Sequence, residues 1–178
     1  MTHGETKIFG VVGWSGSGKT TLMLQLLPDL IARGYRVSTM KHTHHDFDMD
    51  KPGKDSYTHR EAGAYEVLIT GSKRWALLHE NRDEVEPKID TLLANMAPVD
   101  LVLIEGFKSH PHKKLEVHRP SVGKPLLAAD DDSIIAVASD EAIGGLSVPV
   151  LTLEDVAAIG DFIVEYCKLD GKARNGAA

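Results

Sequence analysis

The run Gly13-Trp-Ser-Gly-Ser-Gly18-Lys19-Thr20 constrains this chain more than any other part of it. It matches G-x-x-x-x-G-K-[ST] at every specified position. It also lies between an apolar segment that reads as a buried strand, residues 8–12, and one that reads as the start of a helix, residues 21–27. Glycines let successive backbone N–H groups turn inward around phosphate oxygens, and the helix N-terminus adds positive potential. Lys19 neutralises the terminal phosphates and the Thr20 hydroxyl reaches Mg²⁺. The sequence therefore predicts a phosphate loop for a nucleoside triphosphate.

At 178 residues the chain fits one domain, large enough for a sheet with helices on both faces. A formal net charge of −6 argues against a broad nucleic-acid-binding surface. Cys167 is the single cysteine, which leaves neither a disulfide framework nor a cysteine-based metal site. No apolar run resembles a signal peptide or is long enough to cross a bilayer, so the chain reads as soluble and cytoplasmic.

Leu22, Leu26 and Leu30 repeat at four-residue spacing in the first helix, which is expected to stop near Gly34 and to kink or break at Pro28. Residues 35–41 read as a second strand, and 42–54 as a polar loop rich in His and Asp. A helix over 55–64 follows, with Asp55 or Ser56 as its cap. Residues 65–70 and 73–79 flank Gly71-Ser72 as a hairpin. Ile89, Leu92, Leu93 and Met96 mark an amphipathic helix over 86–97. Residues 99–105 form an apolar run, as in a central parallel strand. Short strands over 115–118, 134–138 and 148–152 precede a last helix with a Thr152–Asp155 capping box. Its buried stripe is Val156, Ile159, Ile163 and Tyr166. This alternation predicts an α/β fold: a doubly wound, mostly parallel sheet with an extra β-hairpin. Residues 1–168 read as one nucleotide-binding domain and 169–178 as a disordered tail.

Ligands of such sheets bind at the carboxyl ends of the strands, where the phosphate loop, the 42–54 loop and Glu105 are expected to converge. Glu105 closes an apolar strand, the place of an acid that holds the Mg²⁺ shell, orients water or activates a nucleophile. His42, His44 and His45 are candidate transition-metal ligands, although their H-x-H-H spacing is unspecific. Asp46, Asp48 and Asp50 begin like a calcium loop, but Lys51 stands where glycine is required and the match fails. A switch-like loop that offers donors and carboxylates to Mg²⁺, the nucleotide or a second anion suits this mixture better. Lys41, Lys51, Lys54 and Arg60 add positive charge for a second phosphorylated ligand, and Trp75 is expected to pack on the sheet or in a subunit interface.

These segments together resemble the molybdopterin-guanine dinucleotide biosynthesis protein B (MobB) family. The resemblance is carried by the phosphate loop, KHTHHDFDMDKPGKDSYTHREAGA at 41–64, RWALL at 74–78, LVLIEGFK at 101–108 and AVASD at 136–140. It implies a GTP-binding, weakly hydrolytic accessory protein in molybdenum cofactor biosynthesis. The partners implied are the guanylyltransferase that attaches GMP, molybdopterin or its dinucleotide product, and a second copy of the chain as a homodimer. By matching position, Gly13, Ser15, Gly16, Ser17, Gly18, Lys19, Thr20 and Thr21 hold the phosphates. Thr20, Asp50, Asp55 and Glu105 are candidates for the Mg²⁺ shell, and Lys19, Glu105 and Asp50 for the catalytic step. Asp140 is the candidate acceptor for guanine, although the lysine of the N/T-K-x-D motif is missing there.

Two other readings stand beside this one. A small-molecule kinase shares the loop but needs an arginine-bearing lid, and Arg74, Arg82 and Arg119 are scattered. A nickel- or zinc-handling GTPase would draw on the nine histidines but needs a convergent ligand set.

Overall fold

Strand and helix alternate along the chain in the computed structural model, which describes residues 6–43 and 47–169. In chain order the elements are β1 (Lys7–Val12), α1 (Lys19–Ala32), β2 (Val37–Lys41), α2 (Asp55–Glu61), β3 (Glu66–Thr70) and β4 (Trp75–His79). Then come α3 (Ile89–Ala94), β5 (Leu101–Glu105), β6 (Lys114–His118), β7 (Ile134–Ser139), β8 (Val150–Thr152) and α4 (Val156–Tyr166). They fall into two units: residues before Thr43 together with those from Pro98, and Thr43–Ala97.

In the first unit six strands form one sheet in the order β2-β5-β1-β6-β7-β8, and every pairing is parallel. The strand order reverses at β1, with β2 and β5 on one side and β6 to β8 on the other. This is the switch point at which doubly wound sheets bind ligands. Alternate strand residues share a face, so Phe9, Val11, Leu101, Leu103, Leu115, Val117, Ala136 and Ala138 present one apolar surface. Leu22, Leu26 and Leu30 of α1 and Ile159 and Ile163 of α4 belong to the same core. Each large side chain buried in this way contributes about 1.5–3 kcal/mol.

Pro28 neither breaks α1 nor ends it. It is exposed, as is Leu24 one turn before it, so the carbonyl deprived of its donor faces water. The helix stops where Gly34, with φ 92°, donates to the Ile31 carbonyl. In α4 the cap is Asp155, whose Oδ1 accepts from the Ala158 amide at 3.0 Å; Thr152 contributes only its carbonyl, to the Asp155 amide. Tyr166 is 43% exposed, and Cys167 takes the buried place at the end of the stripe. Of the expected tail only Leu169 is described, packed against the core; residues 170–178 lie outside the described residues.

In the second unit β3 and β4 form the antiparallel hairpin expected around Gly71-Ser72. The residue that caps α2 is Lys54, with no side-chain hydrogen bond, while Asp55 lies inside the first turn and complements the helix dipole. α3 covers only Ile89–Ala94, shorter than the expected 86–97. Pro87 biases Glu86 towards extended backbone and delays the start. At the other end, the Asn95 and Met96 amides turn to the Leu92 and Leu93 carbonyls and tighten the last turn.

Candidate phosphate-binding site

The loop between β1 and α1 has the backbone that its composition predicts. Gly13 has φ 147°, and a Cβ there would lie 2.4 Å from the Val117 carbonyl oxygen and 2.7 Å from Ser17 Oγ. Only glycine lets the loop pass so close to β6. Gly18, with φ 97°, caps α1, and the Ser17 amide donates to the Trp14 carbonyl. Ser15, Gly16, Thr20 and Thr21 are exposed at the loop and the first helical turn, whereas the Ser17 hydroxyl is buried with no hydrogen-bond partner. Lys19 Nζ donates to the Trp14 carbonyl at 2.8 Å and so closes the loop on itself. Burial, the largest cause, acts with the Lys108 and Lys41 charges to hold the Lys19 ammonium below the usual lysine range; nearby Glu105 opposes them.

Three neighbouring strands deliver the remaining groups. Register pairs Val11 and Lys41 each with Glu105, so β1, β2 and β5 end at one level. Glu105 is 9% exposed. Its Oε1 accepts from Thr20 Oγ1 at 3.2 Å and lies 3.3 Å from Lys41 Nζ. The phosphate loop and the strand-end acid thus meet, with the Thr20 hydroxyl and the Glu105 carboxylate in contact.

On the other side of β1, Arg119 follows β6 and Asp140 follows β7. Arg119 Nε donates to the Ser17 carbonyl at 3.2 Å, and its Nη1 pairs with Asp140 Oδ2 at 2.5 Å. Asp140 Oδ1 is buried without a partner. In the sequence Arg119 is one of several scattered arginines. Its position directly after a short strand is the signal that it stands at the ligand-binding edge.

The 42–54 segment contributes His42 to the first unit, where its amide donates to the Glu105 carbonyl at 2.9 Å and its ring packs on Phe107. His44, His45 and Asp46 lie outside the described residues. Asp50 and Asp55 belong to the second unit. Asp50 Oδ1 accepts from Ser56 Oγ at 2.8 Å and from the Lys51 amide at 3.0 Å, while its Oδ2 is buried with no partner. Arg60 pairs with Asp48 at 2.8 Å and with Glu80 at 3.5 Å, so its charge is used within that unit. Among the described residues no group of three or more His, Cys, Asp and Glu side chains could hold a metal ion by itself.

Comparison with known proteins agrees with this construction. The sequence model described as "MobB: Molybdopterin guanine dinucleotide synthesis protein B" matches residues 8–140. A molybdopterin-guanine dinucleotide biosynthesis adapter protein of Escherichia coli is 44% identical over 168 residues, covering 92% of this chain and 95% of its own. One of Haemophilus influenzae is 38% identical over 164 residues, covering 92% and 91%. The crystal structure of a MobB protein homologue from Bacillus stearothermophilus superposes with a TM-score of 0.66 at 27% identity, over 90% of this chain and 97% of that one. With the phosphate loop, the strand-end glutamate and the added hairpin all in place, the chain belongs to the MobB family.

Proposed function

We propose that this chain is a GTP-binding adapter of molybdenum cofactor biosynthesis that hydrolyses GTP slowly and assists the guanylyltransferase that attaches GMP to molybdopterin. The observation that carries the reading is the Thr20–Glu105 contact beside the phosphate loop. A hydroxyl and a carboxylate side by side are the kind of oxygen donors that a triphosphate-bound Mg²⁺ would take, which supports the reading. The loop fits phosphate: Gly13 leaves no room for a side chain, and Ser17 Oγ is buried without a partner. Thr20 and Glu105 would hold Mg²⁺, which when bound would supply charge neutralisation to the phosphate oxygens. Lys19 binds the same oxygens, Glu105 orients water, and Asp50 and Asp55 are further acidic candidates from the second unit. Asp140 is the acceptor proposed for guanine. The relatives named as adapters support the accessory role.

The protein is proposed to work in the cytoplasm as a homodimer; no described helix is long and apolar enough to cross a membrane. Titration with GTP and ATP, each with and without Mg²⁺, tests the core of this reading. Mg²⁺-strengthened binding that favours GTP is the expected result, and equal affinity for both nucleotides would remove the guanine assignment to Asp140.

A further inference from the structure

Just beyond Glu105 the chain makes a turn that ordinary residues avoid. Gly106 has φ 98° and Phe107 φ 51°. For phenylalanine the left-handed region costs roughly 1–2 kcal/mol, and such backbone is kept where the surroundings over-determine it. Here the Phe107 ring packs on His42, with centroids 4.4 Å apart. The turn brings Lys108 to the phosphate loop: its Nζ lies 4.3 Å from the centroid of the Trp14 indole. Trp14 is also the residue whose carbonyl accepts from Lys19 Nζ, so both ammonium groups address one residue of the loop.

The position of Lys108 is fixed from behind. Lys114, only 1% exposed, donates from Nζ to the Lys108 carbonyl at 2.7 Å and to the His110 carbonyl at 2.7 Å, with Asp131 Oδ2 at 3.1 Å. All three ammonium protons are therefore used, two of them to hold the backbone that carries Lys108. Removing a charged lysine head from water is costly, and a plain surface loop gives no return for it.

The charges beside the loop do not balance. Glu105 is shared by Thr20 and Lys41, and Asp140 is paired with Arg119. Among the described residues Lys19 and Lys108 form no salt bridge, and both address Trp14. Lys124 Nζ also lies 5.8 Å from the Trp14 ring, and a site with such an excess of lysines suits a ligand that carries more negative charge than a diphosphate does.

We propose that Lys108 contacts the terminal phosphate of the bound nucleoside triphosphate, as a second lysine beside Lys19, and that Lys114 is the positioning residue that holds it over Trp14. The proposal rests on the nucleotide-binding reading above. It assigns to Lys108 the recognition of the triphosphate as against the diphosphate state, and so makes the turn after β5 the part of this adapter that registers hydrolysis.

The test is calorimetric titration of the full chain with Mg²⁺ and either GDP or a non-hydrolysable GTP analogue. For Lys108→Met the analogue is expected to bind at least tenfold more weakly while GDP stays within about twofold, and Lys108→Arg is expected to restore most of the preference. Lys114→Gln, checked for folding by its melting transition, is expected to lower the same ratio of analogue to GDP affinity. Equal losses for both nucleotides in Lys108→Met, or no loss for either, overturn the proposal. An unchanged ratio in folded Lys114→Gln removes Lys114 from the positioning role. Lys19→Ala separates the two layers: if it too leaves both affinities untouched, the nucleotide site itself is wrong. If it weakens both while Lys108→Met weakens neither, only the assignment of Lys108 falls.

Discussion

Thr20 Oγ1 donates to Glu105 Oε1 across 3.2 Å, joining the first turn of α1 to the end of β5. Lys41 Nζ lies 3.3 Å from the same oxygen, so the carboxylate is fixed from two sides at the edge of the phosphate loop. Glu105→Gln keeps the shape and removes the charge. Hydrolysis of GTP is expected to fall by roughly 10² while Mg²⁺-free nucleotide affinity changes by less than threefold, because a positioned base contributes to the transition state and not to phosphate binding. Single-turnover hydrolysis measured beside equilibrium binding checks this, and an unchanged rate would remove Glu105 from the reaction.

Lys19 is expected to dominate affinity. Loss of a charge-assisted contact costs about 1.5–3 kcal/mol, which is roughly 10- to 150-fold in dissociation constant. Lys19→Ala is therefore expected to bind GTP weakly and to melt close to the unmodified protein, since Nζ bonds only one loop carbonyl. Affinity within twofold of the parent would contradict the site.

The Arg119–Asp140 pair is the strut on the other flank of the loop. Arg119→Ala leaves a largely buried carboxylate without its partner and frees the Ser17 carbonyl. A loss of about 1–3 kcal/mol is expected from the unsatisfied group, partly recovered in Arg119→Ala with Asp140→Ala. Urea denaturation of both variants measures the coupling, and strictly additive losses would show that the pair does not act as a unit.

Hydrolysis by the isolated protein is expected to be slow. Arg119, the arginine nearest the loop, is engaged by Asp140 and by a loop carbonyl, and a free arginine finger is worth roughly 10³–10⁵ in rate. Turnover is expected to rise when the guanylyltransferase is added. Unaided turnover of several per second, measured by phosphate release, would contradict this.

Most of the fold was legible because it rests on local pattern. The glycine-lysine-threonine signature located β1 and α1, and the nearly continuous apolar run over 99–105 identified β5 as a central strand. Lys114-Leu-Glu-Val-His118 was harder, since alternating charge suggests one wet face, yet all five residues are buried. The reason is partner supply. Glu116 accepts from the Leu127 and Ala128 amides at 3.0 and 2.9 Å, and Lys114 is saturated by two carbonyls and Asp131. Those partners are 4 to 17 residues away, and no periodicity within the strand announces them. Arg119 escaped notice for the same reason: its role comes from strand order, and the pairing of β1 with β6 is a long-range fact.

A pH dependence follows from the same region. His112 is 7% exposed, and burial, aided by the Lys114 and His110 charges, pushes its imidazole from 6.5 down to about 4; Asp131 opposes them. The folded state therefore binds fewer protons than the unfolded chain between those values. His112 thus contributes stability that is fully present above about pH 6.5 and lost as the pH falls towards 4. The loss is on the order of 3 kcal/mol. Denaturation midpoints between pH 7 and 4.5 are expected to fall more steeply in the parent than in His112→Asn, and parallel profiles would remove His112 as the cause.

The hairpin carries the remaining prediction. Leu68 pairs across the strands with Leu77, and Trp75, opposite Thr70, lies on the same face. These three side chains are 62%, 44% and 67% exposed. A two-stranded sheet is marginal by itself, and a face of this composition in water favours association. A two-fold partner would cover both copies at once, which is why the added hairpin points to a homodimer. Light scattering is expected to report twice the 19.4 kDa chain mass. Leu68→Glu with Leu77→Lys is expected to shift the population towards monomer, because both substitutions put charge on the exposed apolar face of the hairpin. A parent protein that remains at 19.4 kDa at high concentration would defeat the dimer. A doubly substituted variant that remains dimeric would place the interface on a different surface.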